Sequence, residues 1–260
     1  MIKVSKDLDD IPKTLIKGPT LSKRNGVIAK EAFPTSNRNS SEKEKKKAKD
    51  YADRFRTKDI KDSLEVIYNK KCAYCEQIVI RNSLEQTDNK STVEHYRPKS
   101  KYYWLAYSWD NLLWCCHKCN ENKDNNFEFL GNEVSYEKSF KENIHSSTIF
   151  YNEIEKPKMI NPEIESVIKL LDFEKGIISS SDKRVKYTIE TCGLDREDLN
   201  EKRKKIIDEF VKKIKDRRLA NKPIDDIVED LKSDIISKDK EFIALRLWLL
   251  INYTSLIKPK

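Results

Sequence analysis

Two Cys-x-x-Cys pairs, Cys72-Ala73-Tyr74-Cys75 and Cys116-His117-Lys118-Cys119, constrain this chain more than any other feature. Each pair presents two thiolates from one tight knuckle, and two such knuckles far apart in sequence close over a single tetrahedral ion, most often zinc. The intervening chain must then return to its starting point, so residues 72–119 form one folded unit. Five of the six cysteines fall within 48 residues, and four have zinc spacing, which points to a reducing cytoplasm rather than a disulfide scaffold. Cys115 adjoins the second pair, but only Cys116 has the right spacing to Cys119. A structural zinc is silent about chemistry, which has to come from what the pairs bracket.

A chain of 260 residues has room for one large domain or two small ones, and 37% charged residues with only 5 glycines suit a helix-rich soluble protein. The net charge of +8 is uneven: residues 1–60 hold 16 Lys/Arg against 9 Asp/Glu, or +7. A basic N-terminal region points toward a polyanion such as nucleic acid. No signal peptide is recognisable, and the most apolar run, 242–251, is short and carries Arg246. It reads as a buried helix and not as a membrane span, so a cytoplasmic location is expected.

Pro12, Gly18, Pro19, Gly26 and Pro34 make the first forty residues look irregular. Ser40 or Ser41 can cap a helix reaching 55, with Lys43, Lys45, Lys46, Lys47 and Lys49 on a solvated or phosphate-facing side. Thr57 can cap the next, whose Ile60, Leu64 and Ile67 form an apolar stripe. Residues 77–80 and 91–96 suggest short strands joined by a polar loop at 83–90. Residues 111–114 suggest another strand, and 117–124 a short helix. Tyr102, Tyr103, Trp104 and Tyr107 read as core first and as base-stacking platforms second. Beyond 129 the patterns are helical: from Asn161-Pro162 to 173, from an Asp182 cap to Cys192 with Gly193 in the left-handed position, and 195–219 with Leu199, Ile206, Phe210, Val211 and Ile214 on one face. Further helices follow from Pro223 and over 240–256. Nothing in this half has catalytic spacing, so it is scaffold, dimer surface or partner surface.

Glu94-His95, Asn111 and Asn120, framed by the two Cys-x-x-Cys pairs, resemble the HNH nucleases, whose ββα-metal motif cuts phosphodiester bonds. Farther out, Gly176, the 186–203 stretch and Gly193-Leu194-Asp195-Arg196 are similar to the HNH proteins of bacterial anti-phage systems of the Septu and retron kind, where the nuclease accompanies an ATPase. The resemblance implies an α+β, mainly α fold. A small ββα core (69–130) stapled by a four-cysteine zinc site sits between a basic N-terminal region (1–68) and a C-terminal helical lobe (131–260). It implies Glu94 and Asn120 as ligands of Mg²⁺ or another divalent cation, His95 as general base, and Asn111 as the residue orienting the motif. It also implies an effector of antiviral defence acting on nucleic acid, DNA first, beside an ATPase partner.

The chemistry suits those residue types in its own right. Hydrolysis of a phosphodiester needs a base for the attacking water, and a neutral imidazole such as His95 can serve. It also needs positive charge for the developing oxyanion, which hard oxygen ligands such as Glu94 and Asn120 can position as a cation. Adjacent strand residues point to opposite faces, so Glu94 and His95 can act together only if the strand bends there. Asn120 can instead cap the knuckle helix, Asn122 competes as a ligand, and Asn111 can be a turn residue. His117 reads as exposed or as a neighbour of the zinc. Arg97, Lys99 and Lys123 can neutralise phosphates or simply be solvated. The alternative to an HNH nuclease is a zinc-knuckle adaptor without catalysis. No Walker motif is present, so any ATP dependence must come from another chain; the apolar 242–251 helix is the expected docking patch for it, and a homodimer is a further possibility.

Overall fold

The computed structural model describes residues 1–81, 88–141, 143–237 and 239–256, with the side chains of 140, 141, 255 and 256 left aside. Helices α1 (Lys13–Ile16), α2 (Pro19–Lys30), α3 (Glu42–Ala52) and α4 (Lys58–Ile67) lead into the first knuckle. The first forty residues are therefore more helical than their Pro and Gly suggest. Pro19 sits in the first turn of α2, where its missing N–H costs nothing, and Gly18 takes a φ of 57° just before it. Pro12, Gly18 and Pro19 sit at helix ends, and Gly26 lies inside α2 without breaking it. Ser41 and Glu44 close a reciprocal capping box at the start of α3. Of the α3 lysines, four are exposed and Lys45 half-buried, while Ala48 faces in. Ile60 and Leu64 of α4 are buried and Ile67 is half-buried, so the stripe packs as its spacing predicts.

Strand β1 (Ser91–His95) pairs antiparallel with β2 (Leu112–Cys116), in a register that sets His95 opposite Leu112 and Ser91 opposite Cys116. Helix α5 (His117–Lys123) follows β2 directly and packs back on both strands. The expected strand at 77–80 is reduced to two isolated bridges, Lys71 with Ile78 and Ile80 with Lys90. The expected 83–90 loop falls mostly outside the described residues. The aromatics are core: Tyr102, Trp104 and Tyr107 are buried, and Tyr103 is half-buried against Trp104.

Beyond α6 (Thr148–Glu155), the helix expected from Asn161 to 173 does not form. A single 3₁₀ turn at Ile168–Leu170 is followed by a hairpin of β3 (Asp172–Glu174) and β4 (Ile177–Ser179). Lys175 and Gly176 connect them with φ of 51° and 90°, the double positive φ of a tight two-residue hairpin turn. A Cβ on Gly176 would lie 2.3 Å from the Asn200 carbonyl oxygen, so close packing of the turn on the helix Glu197–Leu219 also demands glycine. Helix α7 (Lys183–Cys192) has the expected ends: the Asp182 carboxylate accepts the Arg184 and Val185 amides, and Gly193 is left-handed. Helix α8 (Glu197–Leu219) buries Leu199, Ile207, Phe210 and Ile214, with Ile206 and Val211 at the margin of that face. Helices α9 (Asp225–Ser237) and α10 (Ile243–Leu256) close the chain.

One apolar cluster joins side chains from Met1 to Leu249, so N-terminal region, four-cysteine segment and C-terminal helices share a core. The 242–251 run lies inside it. Phe242, Ile243, Ala244, Leu245 and Leu249 are buried, Trp248 meets Phe173 edge-on at 5.8 Å, and Ile251 is its exposed aliphatic residue at 62%. Its apolarity is spent on internal packing, which corrects its expected use as an exposed docking patch.

Buried charge ties the segments together. The Arg97 and Glu155 side chains are both fully buried and pair at 2.8 Å; Arg97 also donates to Asn152, while Tyr102 donates to Glu155. Replacing Glu155 with Ala leaves that guanidinium buried and unpaired, and the expected loss in chemical denaturation is about 3–5 kcal/mol. A loss below about 1 kcal/mol, the range of solvated pairs, would show that water reaches Arg97.

Candidate active site and metal centre

The first knuckle reverses the chain through Cys72–Cys75: the Glu76 amide bonds the Cys72 carbonyl at 3.1 Å and the Cys72 amide bonds the Gln77 carbonyl at 2.9 Å. The second sits where β2 becomes α5, with Cys116 at the N-cap and Cys119 one turn inside. The Ala73 amide donates to the Trp114 carbonyl at 2.8 Å and docks one knuckle on the other. All four Sγ atoms are buried and lie within 4.8 Å of one another. Cys75 and Cys116 are 3.8 Å apart, matching the edge of about 3.8 Å in a tetrahedron with Zn–S bonds of about 2.3 Å. The donor set and its shape fit a zinc ion. Four thiolates around one divalent ion leave net negative charge, which neighbouring donors offset: the Cys119 amide points at Cys116 Sγ at 3.4 Å, and the Arg196 guanidinium lies 3.5 Å from Cys119 Sγ. Burial works against the Arg196 charge, but Cys119 and Cys75 hold it protonated. Cys115 is a fifth buried thiol, 3.5 Å from Cys72 Sγ but outside the group of four. Among the described residues, this is the one group of three or more His, Cys, Asp or Glu side chains placed to hold a metal ion.

His95 ends β1, and the chain bends at Tyr96 and Arg97. Its imidazole is 4% exposed, meets the Phe55 ring edge-on at 4.5 Å, and has Nε2 3.0 Å from the Ala106 carbonyl. A carbonyl only accepts, so Nε2 carries the proton and Nδ1 keeps its lone pair. Burial, then the Lys99, Lys123 and Arg56 charges, push the His95 pKa well below 6.5, and only the Ala106 bond opposes them. The ring is neutral at physiological pH. Asn111, fully buried, fixes the loop that supplies this carbonyl. Its Oδ1 accepts the Arg97 amide at 2.7 Å, and its Nδ2 donates to the Arg97 and Leu105 carbonyls at 3.0 and 3.2 Å.

Glu94 lies on the other face of β1, against α5. Lys123 donates to Glu94 Oε1 at 2.7 Å and to the His95 carbonyl at 2.9 Å, with its side chain fully buried. Asn120, one turn back on α5, donates through Nδ2 to Thr92 Oγ1 at 2.9 Å. Glu94 and Asn120 thus share a strand-helix face, while His95 and Asn111 meet through the loop on the other side. Asn122, the competing ligand, instead donates to the Cys192 carbonyl at 3.3 Å and fills the space that a Cβ on Gly193 would need. The phosphate-binding expectation needs correcting for two residues. Arg97 and Lys123 are internal cations committed to Glu155 and Glu94. Lys99 remains half-buried, with its ammonium 5.8 Å from the Phe33 ring and 5.9 Å from the Phe55 ring. Sequence reasoning missed Phe55 and the Ala106 carbonyl, which carry no signal beyond an apolar position and a peptide bond. Arg196 did have one, the Gly193–Arg196 tetrapeptide.

Purified without chelator, the protein should carry one zinc per chain. Cys116→Ser should lose it together with local folding, because metal binding and folding free energy are linked, whereas Cys115→Ser should keep it. Elemental analysis checks both, and equal zinc content in the two variants would redraw the ligand set.

No family model matches the chain. Among curated proteins it is similar to the Septu protein PtuB of Bacillus mycoides (strain KBAB4), 28% identical over 165 residues, covering 58% of this chain and 52% of that protein. It is also similar to the Septu protein PtuB of Bacillus thuringiensis, 39% identical over 64 residues, covering 25% of this chain and 23% of that protein. The chain therefore spans about half the length of the first relative and less of the second.

Proposed function

We propose that the chain is an HNH endonuclease that hydrolyses phosphodiester bonds of nucleic acid, DNA first, as the effector of an anti-phage defence system. The observation that carries this is the His95 imidazole: neutral, clamped by its Nε2 proton to a backbone carbonyl, its Nδ1 left as an acceptor at the end of a ββα unit with its group of four cysteines. In the reaction His95 Nδ1 takes the proton of the attacking water as the new P–O bond forms and the P–O bond to the leaving oxygen breaks, the leaving oxygen taking a proton from solvent, and Asn111 positions His95 by holding the loop that carries the Ala106 carbonyl. A divalent cation would stabilise the phosphoryl oxygens and leaving group. Glu94 and Asn120 are its expected ligands, but with Glu94 neutralised by Lys123 the two do not form a cation site as arranged. The reading therefore rests on the base. That same ion pair favours the second reading, a catalytically silent adaptor. The similarity to Septu PtuB supports the defence role.

His95→Ala should lower cleavage about 10²–10⁴-fold while zinc content and nucleic-acid binding persist. A base whose pKa is depressed stays neutral as pH falls, so the acid limb of the wild-type rate profile should lie below pH 6.5. Cleavage by His95→Ala at the wild-type rate would place the base elsewhere, and no cleavage by wild type with Mg²⁺ or Mn²⁺ would favour the adaptor.

An ATPase partner is part of the same proposal, and it has to engage a surface other than the buried face of α10. Co-expression with the ATPase encoded beside it should give a co-purifying complex; a monomer that cuts at full rate with no neighbour retained would identify a stand-alone nuclease.

A further inference from the structure

Alongside β1 runs a cleft of about 240 Å³ lined by Arg56, Lys61, Lys90 and His117, with Ser91 and Thr92 between them and Val93 at its floor. Among the described residues, two lysines, one arginine and one histidine line it and no acidic residue does, and none of those four side chains makes an ion pair or a side-chain hydrogen bond. The contrast with nearby Arg81 is instructive, because Asp62 and Glu65 neutralise that guanidinium. Lys61 is pushed down by burial and by the Arg81, Arg56 and Lys90 charges, with Asp53 opposing. Uncompensated positive charge gathered in a concave site is what an anion would relieve.

His95 lies two residues along β1 from Val93 of the cleft. Val93 and His95 alternate onto the same face of β1. The Arg56 guanidinium lies 5.3 Å from the Phe55 ring, the ring that holds His95, and its charge acts on the imidazole together with that of Lys99. From Ser91 to His95 the strand rises about 13 Å at about 3.3 Å per residue, comparable with the axial rise of about four nucleotides of a duplex at 3.4 Å each.

We propose that this cleft seats the phosphodiester backbone of the bound nucleic acid on one side of the bond that the water activated by His95 cleaves, with Arg56, Lys61, Lys90 and His117 as its phosphate contacts. The proposal rests on the nucleic-acid reading above and deepens it. It assigns phosphate binding to residues of α4, its approach, the β1 entry and the start of α5, in place of the internal Arg97 and Lys123.

The test is anisotropy binding of labelled 30-base-pair DNA, and of single-stranded RNA of the same length, to the full chain in a His95→Ala background, across a salt series. Combined Arg56→Gln, Lys61→Gln and Lys90→Gln should weaken binding by about tenfold or more and reduce the slope of log K against log salt by about 2–3, at about 0.9 per lost contact. Single Lys90→Gln should reduce it by about 0.9, which keeps the test valid if the triple variant folds poorly. Lys61→Arg with Lys90→Arg should retain binding, and neutralising Lys212, Lys213 and Lys215 on α8 should leave the slope within error. A larger loss for DNA than for RNA, or the reverse, names the strand that the cleft takes. An unchanged slope in a zinc-loaded variant overturns the cleft, as does competition by millimolar inorganic phosphate that mirrors the effect of the triple variant. If wild type cuts while the cleft variants bind as well as it does, only the cleft assignment falls. If the cleft binds as proposed and no divalent metal supports cleavage, only the nuclease reading falls.

Discussion

The closure of two knuckles into one group of four thiolates is the constraint on which the rest of the site depends. It fixes where the chain enters at Cys72–Cys75 and where β2 hands over to α5 at Cys116–Cys119. With both ends held, β1 must pair with β2 in the one register that sets His95 opposite Leu112. Two five-residue strands would be marginal alone in water. The clasp, and the helix folded back on them, make this hairpin a platform for a site.

That platform separates two electrostatic environments across one strand. On one face His95 is desolvated beside Phe55 and beneath Lys99 and Arg56, so its proton affinity falls and the ring stays neutral. On the other face Glu94 is desolvated with Lys123, and the pair satisfies itself. Burial acts on both residues, but a neutral imidazole needs no counter-charge, whereas a carboxylate acquires one.

Charged groups inside the core also explain why the flanking segments do not hang off the four-cysteine unit as separate modules. Glu76, φ 62°, directly after the first knuckle, accepts the Ile2 and Ala244 amides at 2.7 and 2.8 Å, and its carbonyl accepts the Phe242 amide at 3.3 Å. Glu163 pairs with Lys6 at 2.6 Å and accepts the Tyr68 hydroxyl at 2.5 Å. Each carboxylate takes donors from segments distant in sequence, so the N-terminal stretch and α10 are bound to the same core as the site.

By itself the sequence determined the elements whose signals are local. Cysteine spacing marked the group of four thiols, Ser40 or Ser41 and Asp182 marked helix starts, Gly193 marked a helix end, and the Ile60–Leu64 interval marked a buried face. Each depends on neighbours a few residues away, so the chain states it directly. Tertiary structure decided what depends on distant partners. Arg97, Lys99 and Lys123 read alike as cations, yet two are neutralised inside by Glu155 and Glu94. The 242–251 run shows its apolarity in sequence but not which surface it covers. Residues 161–173 carry a helix-start signal, and the positive-φ turn at Lys175–Gly176 with packing on α8 makes a hairpin of their end instead. His95 shows the division within one residue: its imidazole is written in the chain, whereas its neutrality and its tautomer come from Phe55, Ala106 and the surrounding cations, contacts that exist only once the chain has closed on itself.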